Sequence, residues 1–312
     1  MSLAPENTFR AIGLKLIAVL LFVVMAAFIK AASSEVPPGE AVFFRSFFAV
    51  PVIVLWLFSQ GELRTGLSVA SPGAHLFRGF VGVTAMGLSF TGLAILPLYE
   101  VKAIQYAVPL FVVVLAALYL GETVRKVRLT AVGLGLIGVL IILWPRMTAF
   151  SDATADNRLA LGALLVLVSS LCAAFTQVYV RKMVETENAA AIVFWFSIIA
   201  SCLALVTLPF GWTVPSAKAT AFLVGAGFIG GTAQILVTNA YRYGDASVIA
   251  PFDYASMLFA IGIGYFVFSE VPTLQMLAGA AVVIAAGVLI IFREHQLRLQ
   301  RGKARRHVSK YG

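Results

Sequence analysis

The sequence predicts an all-α membrane protein with ten transmembrane helices arranged as two inverted five-helix repeats, and three observations carry that expectation. Of 312 residues, 61% are hydrophobic and 12% charged, leaving too little polar surface to cover a soluble globule. Ten apolar stretches, each near the roughly 20 residues needed to span the hydrocarbon core, follow one another along the chain. Short strings also recur at an offset of 148 or 149 residues, the mark of a duplicated unit.

In chain order, the stretches near 11–32, 40–58, 74–94, 97–120 and 127–144 make one half. Those near 159–180, 189–208, 217–241, 246–268 and 273–292 make the other. All are long and unbroken, without the alternation that barrel strands need. The first is read as a span, not a cleaved signal, because it exceeds a signal core and Lys30 interrupts the candidate cleavage region. The recurring strings align the halves. Gly138-Val139-Leu140-Ile141-Ile142 matches Gly287-Val288-Leu289-Ile290-Ile291, and Gly121-Glu122 matches Ser269-Glu270. Gln105-Tyr106-Ala107 matches Asp253-Tyr254-Ala255, and Ala11-Ile12-Gly13 matches Ala160-Leu161-Gly162. The expected organisation is a first repeat over 1–145, a periplasmic linker over 146–158, a second repeat over 159–292 and a basic cytoplasmic tail over 293–312.

Orientation follows from the positive charges. With the N-terminus in the cytoplasm, 17 of the 23 Lys and Arg residues fall on the inner side, and Lys30, Arg146, Arg158 and Lys218 fall outside. Both termini are therefore expected in the cytoplasm of a multi-pass inner-membrane protein. An odd number of spans in each half makes the second enter from the opposite face, so the repeats are inverted. The net charge of +9 is read as cytoplasmic retention and attraction to anionic lipid, not as nucleic-acid binding.

Catalysis finds no constellation. His75, His295 and His307 lie near span ends or in the tail, and neither a His-Glu-x-x-His helix nor a phosphate loop occurs. Cys172 and Cys202 both sit in apolar spans, implying neither a disulfide framework nor a metal site. No enzyme, cofactor or metal is expected. Gly244-Asp245 reads as the turn between the eighth and ninth spans.

The informative residues are the polar minority inside the spans, because a charge at the bilayer centre must face a cavity or a partner. Asp253 has no basic residue within a helical turn, and desolvation would raise its pKa toward a proton-coupling or solute-binding range. The alternative is a protonated or hydrogen-bonded packing residue. Tyr254 stands beside it, and Gln105 and Tyr106 occupy the equivalent place in the fourth span. Lys102, Gln105 or Tyr106, and Pro109 share one helix face by spacing. Pro109 and Pro251 each remove a backbone donor, which suits kinked, cavity-lining helices or simple packing kinks.

Glu100 and Lys102 open the fourth span, where they bind a zwitterion or snorkel to the interface. Arg45 in the second span holds an anionic group or, the favoured reading, pairs across helices. Gln177 and Gln234 add hydrogen-bonding capacity that joins helices or meets solute, and Trp195, Tyr106 and Tyr254 offer stacking surfaces. Glu122 and Glu270 read as turn geometry, and Gly225, Gly227, Gly230 and Gly231 as a packing surface.

Ile249-Ala250-Pro251-Phe252-Asp253-Tyr254, Phe268-Ser269-Glu270-Val271-Pro272, Gly279 and the closing Gly287 string resemble the second repeat of the EamA branch of the drug/metabolite transporter superfamily. Phe43-Phe44-Arg45-Ser46 and Tyr119-Leu120-Gly121-Glu122 resemble its first repeat. The similarity covers roughly residues 10–292 and implies ten helices in two inverted repeats around a central solute pathway. One position departs. Met257 stands where many members carry a proline, thirteen residues before the second-repeat glutamate, which moves the expected kink to Pro251.

The resemblance implies a secondary active transporter whose partners are a small-molecule solute and the bilayer; a homodimer is compatible with the sequence. Riboflavin or a similar vitamin-like solute is the best cargo expectation, because the superfamily has a riboflavin-importing branch. Export of an amino acid or related zwitterion is the main rival. A passive channel, a membrane enzyme and a sensor or scaffold are the alternatives from other classes. The sequence offers a sensor no soluble signalling domain.

Overall fold

The computed structural model describes residues 8–120, 126–148, 157–184, 186–243 and 250–289. Gly121, Glu122, residues 244–249, most of the 146–158 linker and the 293–312 tail therefore lie outside the described residues. Among those described, all regular structure is helical. The first half contains α1 (Thr8–Ala32), α2 (Pro38–Phe47), α3 (Ala49–Ser59), the short α4 (Leu63–Gly66), α5 (Pro72–Ile95), α6 (Leu98–Gln105), α7 (Ala107–Leu120) and α8 (Lys126–Thr148). The second contains α9 (Asn157–Met183), α10 (Ala189–Leu205), α11 (Ala217–Tyr243), a 3-10 segment (Ala250–Tyr254) leading into α12 (Ala255–Phe268), and α13 (Leu274–Leu289). Among the described residues, six helical segments are long and apolar enough to cross a membrane, and four shorter apolar helices accompany them.

Two of the stretches that composition reads as single spans are interrupted. The 40–58 stretch breaks at Phe48, between α2 and α3, and the 97–120 stretch breaks at Tyr106, between α6 and α7. Each break lies three residues before a proline, Pro51 and Pro109 respectively. Proline lacks the N–H for the carbonyl four residues back and its ring crowds that carbonyl, so the preceding turn cannot close as regular helix. Helix starts follow equally local rules. Pro38 and Pro72 occupy first-turn positions where a missing N–H costs nothing, and the Asn188 side chain accepts from Ala190 N–H to cap α10.

In lipid, apolar surface alone does not drive helices together, so close approach through small residues matters. The interface of α1 with α11 shows this. Ala11, Ala18, Met25 and Ala32 recur every seven residues on α1, facing a second seven-residue series of Ala219, Ala226, Ala233 and Ala240 on α11, and all eight are buried. Ala11 meets Ala240, so the two helices run antiparallel. The other extensive interface joins α5 to α9. A shift of 148–149 residues turns the α1–α11 pair into α9 and α5, and α2 and α10, also packed together, exchange with each other.

The segment after α1 is tied to the start of α11 by Glu35, whose carboxylate accepts from Ser216 N (2.9 Å) and Ser216 Oγ (3.0 Å). The Ser216 backbone N–H, then its hydroxyl, hold the Glu35 carboxyl below its ordinary value of 4.5, against a smaller opposing effect of burial. At the far side of the bundle Glu187 accepts from Ala70 and Ser71 N–H at the start of α5 and lies 3.3 Å from His75.

Two outcomes are expected. Ala18→Leu places extra volume in the α1–α11 seam and should destabilise by about 1–3 kcal/mol, read as a lower melting temperature in detergent. Because the Glu35 value is depressed in the folded state, its contribution is present above 4.5 and is lost as pH falls through the folded value. Glu35→Gln should thus melt below the parent at neutral pH, with the gap closing on acidification; a gap that persists in acid would contradict the assignment.

Candidate functional site

The helix interruptions set up the first part of the site. Tyr106 sits at the α6–α7 break and Tyr254 at the end of the 3-10 segment, and their rings meet edge to face with centroids 5.1 Å apart. The Tyr106 hydroxyl donates to the Tyr254 carbonyl (3.0 Å) and shares a hydrogen bond with Ser256 Oγ (2.8 Å). Gly287 leaves room for the Tyr254 hydroxyl, where any Cβ would collide with it. On the neighbouring face Lys102 Nζ donates to Gln105 Oε1 (3.3 Å) and Gln105 Nε2 to Ser89 Oγ (2.8 Å), a polar chain from α6 to α5. Lys102 and Gln105 thus share a face, whereas Pro109 points outward and is exposed. Glu100 is buried on α6. Pro251 lies within the 3-10 segment, one helical turn before α12 begins.

Two ion pairs flank this centre. Lys15 Nζ lies 2.7 Å from Asp253, and Lys30 Nζ lies 3.1 Å from Glu270. The expectation of an isolated, desolvated Asp253 is corrected here. Its side chain is half exposed and its charge is met by a lysine from α1, a partner distant in sequence. Lys30 also donates to Leu96 O (2.6 Å) and Leu93 O (3.3 Å), while Leu98 N–H donates to Glu270 (2.8 Å) and Tyr99 Oη to Val271 O (3.0 Å). Glu270 is therefore more than a turn residue. Ser269, with φ 56°, ends α12 and Glu270 then plugs the gap between α5 and α6.

These contacts orient the helices. Lys15 and Lys30 are about 22 Å apart along α1 at 1.5 Å per residue. They bind the two ends of the α12 segment in the same order, so α1 and α12 run parallel. α6 begins at the end of the bundle where α12 finishes.

The second part of the site is a cavity of about 50 Å³ between α2, α3, α5, α10 and α11, lined by Arg45, Arg78, Phe196, Ser197 and Gln234 among others, none of them acidic. Arg45 Nε and Arg78 Nε and Nη1 are shut off from solvent and have no hydrogen-bond partner. The Arg78 guanidinium stacks over Phe196, 3.6 Å from the ring centroid, a cation–π contact that holds its plane. Gly82 accommodates the Phe196 ring, and Gly230 accommodates the Met25 side chain, with Arg45 in ordinary contact beside it. A smaller void of about 10 Å³ shares Ile53, Val193 and Gln234 with this cavity and continues to Trp56 and Thr238.

Of the residues singled out by sequence, Arg45 and Gln234 meet at this cavity, and the residue that faces Arg45 across helices is a second arginine, Arg78, not a pairing partner. Gln177 is exposed on α9, and Trp195 Nε1 donates to Leu67 O (3.0 Å), tying α10 to the loop after α4 without lining the cavity itself. Arg78, Lys15, Lys30 and Ser89 escape sequence reasoning. The signal for Arg78 is its position about one turn inside the 74–94 apolar stretch with no acid within one turn.

Long apolar helices, breaks inside two of them and charged groups held within the bundle define a polytopic, all-helical membrane protein. Residues 9–144 and 160–293 each match the EamA-like transporter family, and the chain belongs to that family. It is 26% identical over 270 residues to an S-adenosylmethionine uptake transporter of Rickettsia felis, covering 86% of each chain. It is 28% identical over 283 residues to a pseudopaline exporter of Pseudomonas aeruginosa, covering 89% of this chain and 94% of that one. A riboflavin transporter of Rhizobium johnstonii is 28% identical over 263 residues, 83% of this chain and 82% of that one. A solved crystal structure shares the fold with a TM-score of 0.64 at 17% identity, over 92% of this chain and 98% of that one.

A double-mutant cycle tests the Lys30–Glu270 tie. Lys30→Met and Glu270→Gln should each lower the melting temperature and be non-additive together, with a coupling of about 1–2 kcal/mol. Strict additivity would show that the pair contributes nothing.

Proposed function

We propose that this chain is a secondary active transporter that moves a small organic metabolite across the cytoplasmic membrane by alternating access. In this reading ten helices form two inverted repeats, over 1–145 and 159–292, joined by a periplasmic 146–158 linker, with both termini and the basic 293–312 tail in the cytoplasm. One observation carries it. Tyr106 and Tyr254, equivalent across the 148-residue offset, meet at the boundary of the two halves, while the α6–α7 span begins where its counterpart, the 3-10 segment with α12, ends. Equivalent helices that run in opposite directions and touch at equivalent residues are what an inverted pair around a shared pathway requires. The exchange of the α1–α11 and α5–α9 interfaces under the same offset supports the same reading.

With this topology the Lys30–Glu270 tie is the outer gate and the Lys15–Asp253 pair lies toward the cytoplasm. Asp253 is then the coupling carboxylate, releasing Lys15 when protonated. Lys102, Gln105, Glu100, Tyr106 and Tyr254 line the route between the gates. Riboflavin or a similar vitamin-like solute is the first cargo to test, given the riboflavin-transporting relative. The paired arginines favour the rival reading, a solute bearing an acidic group such as an amino acid.

The test is transport in vesicles reconstituted with the purified chain. Labelled riboflavin or a labelled amino acid should show saturable counterflow, and Asp253→Asn should abolish accumulation driven by an imposed proton gradient while sparing counterflow. Flux that never saturates would point to a channel, and undiminished accumulation in Asp253→Asn would reject the coupling role.

A further inference from the structure

We infer that Arg45 and Arg78 together form the recognition site for the anionic group, carboxylate or phosphate, of the transported solute. The inference rests on the transporter reading and specifies its substrate class. It starts from an imbalance. Elsewhere in the bundle, Lys15 and Lys30 are each held against a carboxylate, at 2.7 and 3.1 Å. Arg45 and Arg78 instead line one cavity together, with no acidic residue in its wall, and three of their nitrogens have no hydrogen-bond partner.

Two partly buried like charges repel each other and have lost part of their hydration, so the arrangement opposes folding unless something else requires it. A purely structural arginine would find backbone carbonyls or an acid. These two are arranged as a receptor. Phe196 fixes the plane of the Arg78 fork, leaving its edges for an in-plane acceptor, and Gln234 adds an amide. Planar forks match carboxylate and phosphate oxygens better than a lysine ammonium does.

Size narrows the occupant. A cavity of about 50 Å³ admits an acidic head group and is far below the several hundred Å³ that enclose a whole metabolite. The remainder of the solute has to extend through the adjoining void toward Trp56 and Thr238, which widens when the helices move apart. Near the cavity α11 supplies Gly230 and Gly231, and α3 begins at Ala49 just after the Phe48 break, so this wall has the parts for such a movement.

The experiment uses the full chain in neutral detergent freed of lipid, which separates a soluble anion from a lipid head group. In chloride buffer, Arg45→Gln and Arg78→Gln should melt at or above the parent temperature, since each removes an uncompensated buried charge. Sodium acetate or phosphate, at constant ionic strength, should stabilise the parent saturably and leave the double variant unmoved. Response only to added phospholipid would assign the site to lipid and overturn the proposal. Two matched pairs then test the solute: riboflavin against riboflavin 5′-phosphate, and S-adenosylmethionine against its decarboxylated form.

The parent should bind the acid-bearing member of at least one pair about tenfold more tightly, the worth of one charge-assisted hydrogen bond. Arg78→Lys, which keeps the charge but not the fork, should keep part of that preference. Equal affinities within both pairs, or a preference that survives the double variant, would overturn the inference. Counterflow separates it from the transporter reading. Riboflavin counterflow indifferent to both arginines would leave transport standing and the anion site rejected. A saturable anion response without counterflow of any solute would do the reverse.

Discussion

In hydrocarbon there is no water to accept a hydrogen bond, so each break in a helix and each charge within the bundle needs a partner supplied by the protein. The junction between α5 and α6 answers this with two side chains. Lys30 takes the carbonyls of Leu93 and Leu96, Glu270 takes the Leu98 N–H, and the two are themselves an ion pair. One interaction therefore satisfies the broken backbone, neutralises two charges and joins the two halves of the chain.

The same constraint gives meaning to the places where partners are absent. Most polar groups described in the bundle are met: Gln105 by Ser89, Tyr106 by Tyr254 and Ser256, Glu187 by the start of α5. Arg45 and Arg78 stand apart because their charges face each other across a cavity. A protein tolerates such cost where function needs a prepared site. Small residues make room at the cavity wall, since Gly82 leaves the space that the Phe196 ring occupies and Gly230 admits the Met25 side chain beside Arg45.

Rigid and compliant parts are distributed in a consistent way. The seven-residue alanine series of α1 and α11 form a close seam, suited to moving as one body. The interruptions at Phe48 and Tyr106 lie next to the arginine cavity and the tyrosine contact respectively. Backbone breaks thus sit beside the polar groups, while the α1–α11 seam carries Lys15 and Lys30 on one helix and the cavity wall of Gly230, Gly231 and Gln234 on the other.

Sequence alone determined the helical class and the duplicated halves, because these follow from local rules, apolar runs long enough to span and repeated strings; the breaks inside 40–58 and 97–120 follow from prolines that cannot complete a turn, although length alone reads each stretch as one span. Pro109 marks the break at Tyr106, and Pro51, by the same rule, marks the one at Phe48. Only the tertiary structure decided which charges meet. Asp253 looks solitary along its own helix, yet Lys15 answers it across 238 positions of chain, and Arg78 looks like one more cytoplasmic charge until it faces Arg45. Pairing between helices depends on how each is rotated and displaced against its neighbours. That is set by the sum of many small packing contacts, and no spacing within a single helix encodes it.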